Sequence, residues 1–198
     1  MKLEIIYATT TGNAEFVAKK LYELSKEQGF DSNLGEMNNY SLKQFSDLEN
    51  VAIITSTYGE GDLPEMGMDF WEELKQTKIS LKKQKYGMIA LGDRSHDDFC
   101  GGGKKISSKL EELGSKKIID KLECDGDTEG SYKWSLNFLR ALKDKEDSGL
   151  KMKPNNTCVP CNDDTKIISK KLKNRDPKDV NFEEAKKIFS PFSDKIKK

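Results

Sequence analysis

Residues 3–14 read Leu-Glu-Ile-Ile-Tyr-Ala-Thr-Thr-Thr-Gly-Asn-Ala, an apolar run that stops at residue 8 and empties into hydroxyls and a glycine. Immediately after it, Ala14, Val17, Ala18, Leu21 and Leu24 recur at the spacing of one helical face. The stretch predicts a strand, a tight polar loop and a helix stopped by Gly29. The same unit returns downstream. Val51-Ala-Ile-Ile-Thr-Ser56 is apolar without alternation, as a strand buried on both faces must be, and it runs into Thr57-Tyr-Gly-Glu-Gly-Asp62. Pro64 can open the next helix, with Met68, Trp71 and Leu74 as its inner stripe. Tyr86-Gly-Met-Ile-Ala-Leu91 ends at Gly92-Asp93, a helix from about Lys104 to Leu113 closes at Gly114, Lys117–Leu122 reads as a further strand, and Tyr132–Leu142 as a last helix. Ser32–Met37 is thin in apolar residues and reads as an edge strand. Strands alternating with helices specify an α/β doubly wound fold on a parallel sheet.

Beyond Asp147 the pattern breaks at Ser148-Gly149 and Pro154-Asn155-Asn156, and only Asp179–Phe189 keeps helical spacing. Two parts are expected: a domain over 1–147 and a Lys-rich extension over 148–198 that is partly helical or disordered. The formal charge of zero conceals an asymmetry, with 21 Lys+Arg against 27 Asp+Glu in the first part and 13 against 7 in the second. An acidic domain argues against a nucleic-acid footprint, while the basic extension could fold onto it, meet an acidic partner or simply solubilise it. No apolar run approaches the ~18 residues of a membrane span, and MKLEIIYATTTG enters a strand directly. A cytoplasmic monomer with no membrane contact is the expectation. Four cysteines without a leader fit a reducing compartment better than a disulfide framework. Cys158-Val-Pro-Cys161 has the spacing of half a zinc site or a redox dithiol, but no second pair and no nearby histidine accompany it, so chance spacing is the simpler reading.

Ligands of open parallel sheets bind outside the carboxyl ends of the strands, where three polar loops fall here. The first, Thr9-Thr10-Thr11-Gly12-Asn13-Ala14, offers hydroxyls and N–H groups at a helix N-terminus and suits a phosphate. It lacks the Gly-Lys-Ser/Thr of a triphosphatase loop and the three glycines of a dinucleotide fingerprint, so a single phosphate monoester fits best; a plain helix cap is the alternative. The second, Ser56-Thr57-Tyr58-Gly59-Glu60-Gly61-Asp62, sets one aromatic beside two glycines, which suits a flat ring approached by backbone. The third, Leu91-Gly92-Asp93-Arg94-Ser95-His96-Asp97-Asp98-Phe99-Cys100, adds aromatic surface and acids, though its charges could equally be a solvated face.

Taken together, Thr10-Thr-Gly-Asn-Ala-Glu15, Ser56-Thr-Tyr-Gly-Glu-Gly-Asp-Leu-Pro64 and Gly92-Asp-Arg-Ser-His-Asp-Asp-Phe-Cys-Gly101, followed by Lys109-Leu-Glu-Glu-Leu-Gly114 and an acidic turn, resemble flavodoxins across residues 2–146. The likeness is to the short-chain branch that includes MioC and the FMN domains of sulfite reductase flavoproteins and other diflavin reductases. It implies a five-stranded sheet in the order 2-1-3-4-5 and one non-covalent FMN. Thr9, Thr10, Thr11, Asn13 and Ala14, with Gly12, would wrap the phosphate, and Ser56 and Thr57 would lead to a Tyr58 stacked on the isoalloxazine. Gly59 would sit by flavin N5, its peptide free to rotate, with Glu60, Gly61 and Asp62 completing that loop. Leu91, Gly92, Asp93, Phe99 and Cys100 would line the other side, with Asp125 to Asp127 near the rim.

The sequence departs from these relatives at His96, where they usually carry a tyrosine on the second flavin face. A histidine there could stack, leave that role to Phe99, or titrate and make the potential depend on pH. Cys100 and Cys124 are more simply small buried hydrophobes than reactive thiols. The resemblance implies an electron carrier that takes electrons from an NADPH-dependent flavin reductase and passes them singly to an iron–sulfur, haem or cobalamin enzyme. Acids around the ring (Glu60, Asp62, Asp93, Asp97, Asp98) would lower the second-electron potential. An FMN subunit of a multi-component reductase such as sulfite reductase, and a non-redox binding module on the same fold, are the alternatives.

Overall fold

The computed structural model describes residues 1–147, so the extension over 148–198, with Cys158, Cys161 and the expected helix at Asp179–Phe189, lies outside the described residues. The chain runs β1 (Lys2–Ala8), α1 (Asn13–Glu27), β2 (Asp31–Glu36), a 3-10 turn at Met37–Asn39, α2 (Leu42–Ser46), β3 (Asn50–Ser56), α3 (Glu65–Gln76), β4 (Lys85–Gly92), α4 (Gly101–Glu112), β5 (Lys116–Lys117), β6 (Leu122–Asp125) and α5 (Ser131–Asp147). All strand pairs are parallel, in the order β2-β1-β3-β4-β5, with β6 also pairing with β4. Parallel neighbours need helical crossovers, which bring every strand out at the same edge of the sheet.

The odd and even side chains of the central strands feed two separate cores. Leu3, Ile5, Tyr7, Ala52 and Ile54 pack against Val17 and Leu21 of α1 and Phe138 and Leu142 of α5. Ile6, Val51, Ile53 and Met88 pack against Phe70 and Leu74 of α3 and Ile106 and Leu110 of α4. Every residue of β3 is buried, which accounts for its unbroken apolar run. The edge strand β2 is the thin stretch expected at Ser32–Met37, shifted by one residue.

Three local expectations are corrected. The single strand Lys117–Leu122 is split: β5 pairs with Lys85–Tyr86, and β6 with Ile89–Gly92. Between them the Asp120 carbonyl accepts the Trp134 indole N–H at 2.8 Å, so the backbone turns towards α5 instead of along β4. The inner stripe of α3 is Gly67, Phe70 and Leu74, with Trp71 half-buried and Met68 exposed. Gly67 lets that turn settle onto Leu63, Ala8 and Met37, each 3.1–3.2 Å from where its Cβ would stand. Helix α4 starts at Gly101, three residues early, because Gly101-Gly102-Gly103 is a weak helix former but a buried, close-packed first turn.

Candidate functional site

At the carboxyl edge the loops after β1, β3, β4 and β6 converge on one cleft. Its wall is formed by Thr11 and Asn13 from the first loop, Ser56, Thr57 and Gly59 from the second, and Leu91, Gly92, Asp93, His96, Asp98 and Cys100 from the third. Gly126 and Asp127, after β6, close it. The sheet order places it where the chain leaves β1 for β2 on one side and returns as β3 on the other, so the loops diverge and leave room.

In the first loop, Thr9 Oγ1 accepts the Gly12 N–H at 3.0 Å and lies 3.5 Å from Ser56 Oγ, which folds the loop back and ties it to β3. Gly12 is left-handed (φ 90°) and heads α1 with no side-chain cap. The N–H groups of that first turn therefore carry the positive end of the helix dipole uncapped by any side chain. Thr11 and Asn13 line the cleft, whereas Ala14 is buried beneath the helix and Thr10 stands outside, sharing an adjoining depression with Tyr58, Asp62 and Met68.

The second loop is a tight turn. Tyr58 N–H donates to the Asp62 carbonyl and Asp62 N–H to the Tyr58 carbonyl, each at 2.9 Å, leaving Gly59-Glu60-Gly61 as the tip. Gly59 and Gly61 have φ of 52° and 93°, a conformation that other residues rarely hold. Of the turn itself, Tyr58 to Asp62, Gly59 is the residue that lines the cleft; Tyr58 is 61% exposed beside it and Glu60 is exposed.

In the third loop His96 and Phe99 part company. His96 lines the cleft. Phe99 does not: the Arg94 guanidinium lies 4.5 Å from its ring centroid, the Lys104 ammonium lies 5.5 Å from it, and Lys104 also donates to the Phe99 carbonyl. Asp125 is likewise drawn off, its carboxylate accepting the Arg94 N–H at 2.9 Å and pairing with Arg94 Nε at 3.3 Å. Asp98 and Asp127 stand on the wall in its place. Arg94 and Lys104, which cover Phe99 and in the case of Arg94 also pair with Asp125, are contacts that sequence reasoning missed; both lie in or beside the third motif, but nothing in its residue types says which aromatic a cation will cover.

Cys100 is buried in a left-handed conformation (φ 57°), its thiol donating towards the Ala90 carbonyl at 3.3 Å. Burial pushes that thiol up to about 12 and Cys124 to about 11. Hydrogen bonds from Ser95 hold the Asp93 carboxyl below the usual range, so it is ionised at neutral pH. Among the described residues the wall thus carries three carboxylates, one imidazole and no Lys or Arg. Among the described residues one buried side-chain polar atom lacks a partner, Thr57 Oγ1, and Thr57 is a residue of this wall.

Residues 5–135 match the flavodoxin family profile. The sulfite reductase (NADPH) flavoprotein alpha-component of Vibrio parahaemolyticus is 37% identical over 150 residues, 75% of this chain and 24% of that one. The same component of Vibrio vulnificus is 36% identical over 151 residues, again 75% and 24%. The chain spans about a quarter of the length of these relatives. Among solved structures, the Streptococcus pneumonia flavodoxin superposes with TM-score 0.66 at 26% identity, covering 73% of this chain and 99% of that one. A mutant of the Pseudomonas aeruginosa flavodoxin gives 0.64 at 27% identity, covering 72% and 99%.

The cofactor of this family, FMN, has a phosphate monoester, a hydroxyl-bearing chain and a flat ring, and the cleft offers a partner for each kind of group. An uncapped helix N-terminus with Thr11 and Asn13 suits the monoester without needing a cation. The orphaned Thr57 hydroxyl suits a polar atom of the ligand, and Gly59, Gly92, Leu91 and His96 present backbone and flat surface. Fold, cleft and matching profile agree: the chain belongs to the flavodoxin family of FMN-binding proteins.

Proposed function

We propose that this protein is an electron carrier that holds one FMN in the cleft, accepts electrons from an NADPH-dependent flavin reductase and hands them singly to an iron–sulfur, haem or cobalamin enzyme. Bound FMN supplies the redox chemistry, and the chain supplies binding, orientation and charge. The observation that carries the reading is the wall itself: anion-binding N–H groups and hydroxyls at one end and carboxylates, with no cation among the described residues, around the rest. Thr11, Asn13 and the α1 N-terminus hold the phosphate, with Thr9 shaping the loop from behind. Thr57 Oγ1 gains its missing partner. Gly59, with open space where a side chain would stand, lets its peptide turn its carbonyl towards the cleft. Asp93, Asp98 and Asp127 oppose added negative charge and lower the potential of the second electron. Tyr58 at the mouth, among the acids Glu60, Asp62 and Glu65, offers an edge that a basic partner surface can approach.

A second reading is favoured by one observation: relatives more than a third identical are sulfite reductase flavoprotein components, of which this chain matches about a quarter. On that reading the protein is the FMN-bearing part of a multi-component reductase. The test is the visible absorption of the purified full chain, followed by FMN titration and stepwise anaerobic reduction. Yellow protein with one FMN per chain and two resolved one-electron potentials is expected; protein that takes up no FMN refutes the carrier reading. Co-purification with a reductase subunit selects the second reading over the first.

A further inference from the structure

The two ends of the Tyr58–Asp62 loop are held unequally. At its closing end, Asp62 Oδ1 accepts a hydrogen bond from Lys105 Nζ of α4 at 2.9 Å, as an ion pair. Gly61 is buried against the same helix: its Cα lies 2.7 Å from where a Cβ on Gly101 would stand, and its own Cβ would meet the Asp98 carboxylate. The Asp62 carbonyl passes 3.1 Å from the Cβ position of Gly102. Among the described residues the opening end has no such support. Tyr58 is 61% exposed, and nothing lies within 4 Å of the Cβ position of Gly59. Small residues at the start of α4 let the loop's closing end approach the helix, and the Lys105–Asp62 pair fastens it there.

We propose that Lys105 is a positioning residue: through Asp62 it latches the closing half of the loop to the first turns of α4 and confines the loop's freedom to the Gly59–Glu60 peptide. Lys105 lies off the cleft wall. Its contribution is to hold Gly61 and Asp62, and through the paired Asp62 backbone Tyr58, in place before a ligand arrives, which raises affinity by lowering the ordering cost of binding. The ligand half of this inference rests on the FMN reading above, but the latch itself does not.

The pair is exposed, at 35% and 62% for the two side chains, so its effect is modest and falls as salt screens it. The full-length protein is compared with Lys105→Met, Lys105→Arg and Lys109→Met, the last removing an equal charge from the same helix at a lysine paired with Glu112. Hydrogen exchange of the Tyr58 and Asp62 amides, which close the turn, is expected to speed up about two- to fivefold in Lys105→Met at low salt, the range of an exposed ion pair. FMN affinity is expected to fall by the same factor. Lys105→Arg restores both, and raising salt brings the wild type to the Lys105→Met values. Unchanged exchange in Lys105→Met overturns the latch whether or not FMN binds. Equal losses in Lys109→Met and Lys105→Met overturn it in favour of general electrostatics. Faster exchange with no FMN uptake by any of the proteins keeps the latch and removes the cofactor reading.

Discussion

Thr57→Val tests the cleft with one isosteric change whose two effects have opposite signs. Valine keeps the shape and β-branching of threonine and replaces Oγ1, the buried atom without a partner, by a methyl group. An unsatisfied buried hydroxyl costs about 1–3 kcal/mol, so the FMN-free variant is expected to be more stable than the wild type by about 1 kcal/mol. For a protein of this size that is a rise in melting temperature of about 3 °C. In the complex the sign reverses. The wild-type hydroxyl gains its partner on binding and the valine cannot, so affinity falls about tenfold, equivalent to about 1.4 kcal/mol. Thermal melts of the FMN-free proteins and fluorescence titration with FMN read the two effects separately, and Thr57→Ser, which keeps the oxygen, should bind like the wild type. A variant that is no more stable without FMN and binds it equally well would refute the reasoning, because the orphaned hydroxyl would then be neither a cost nor a contact.

Other expectations follow from the same geometry. Gly87→Ala places a Cβ 2.5–2.7 Å from Phe138 and Trp134, whose rings stack at 5.1 Å, so overpacking between β4 and α5 should cost about 1–3 kcal/mol in denaturant melts. His96→Ala should weaken FMN binding about two- to tenfold by titration, the range of an aromatic contact, since His96 and not Phe99 faces the cleft. Burial raises the Cys100 and Cys124 thiols from 9.0 to about 12 and about 11. The folded state therefore keeps protons that the unfolded state releases, and stability is complete below about pH 9 and declines as pH rises through that window. Melting temperatures from pH 8 to 11 should show the decline, and it should be shallower in Cys124→Ala.

Particular residues show where sequence sufficed. Val51–Ser56 announced a strand buried on both faces, because neither face could have met water without polar residues in alternation. Ala14, Val17, Ala18, Leu21 and Leu24 all proved buried on α1, since a helix with one apolar stripe has a single way to face a sheet. The three motif loops lie at strand ends by the same logic, so their convergence was legible before any coordinates. Thr11, Asn13, Thr57, Gly59 and Asp93, named from those loops and the resemblance they carry, line the cleft.

Within those loops, which side chains face the cleft was decided only by tertiary structure. Phe99 and Asp125 carry the residue types expected of the site, but Arg94 claims both, one through its ring and one through its carboxylate. Tyr58 stands at the mouth because its loop is closed by its own backbone bonds and fastened at the far end to α4. Thr57 became informative only when its hydroxyl was seen buried and unmatched. Periodicity records which face of an element avoids water, a property carried by each residue and its near neighbours. The direction of a loop side chain depends on partners such as Arg94 with Asp125 and Lys105 with Asp62, far apart in the chain, and only the folded sheet brings those together.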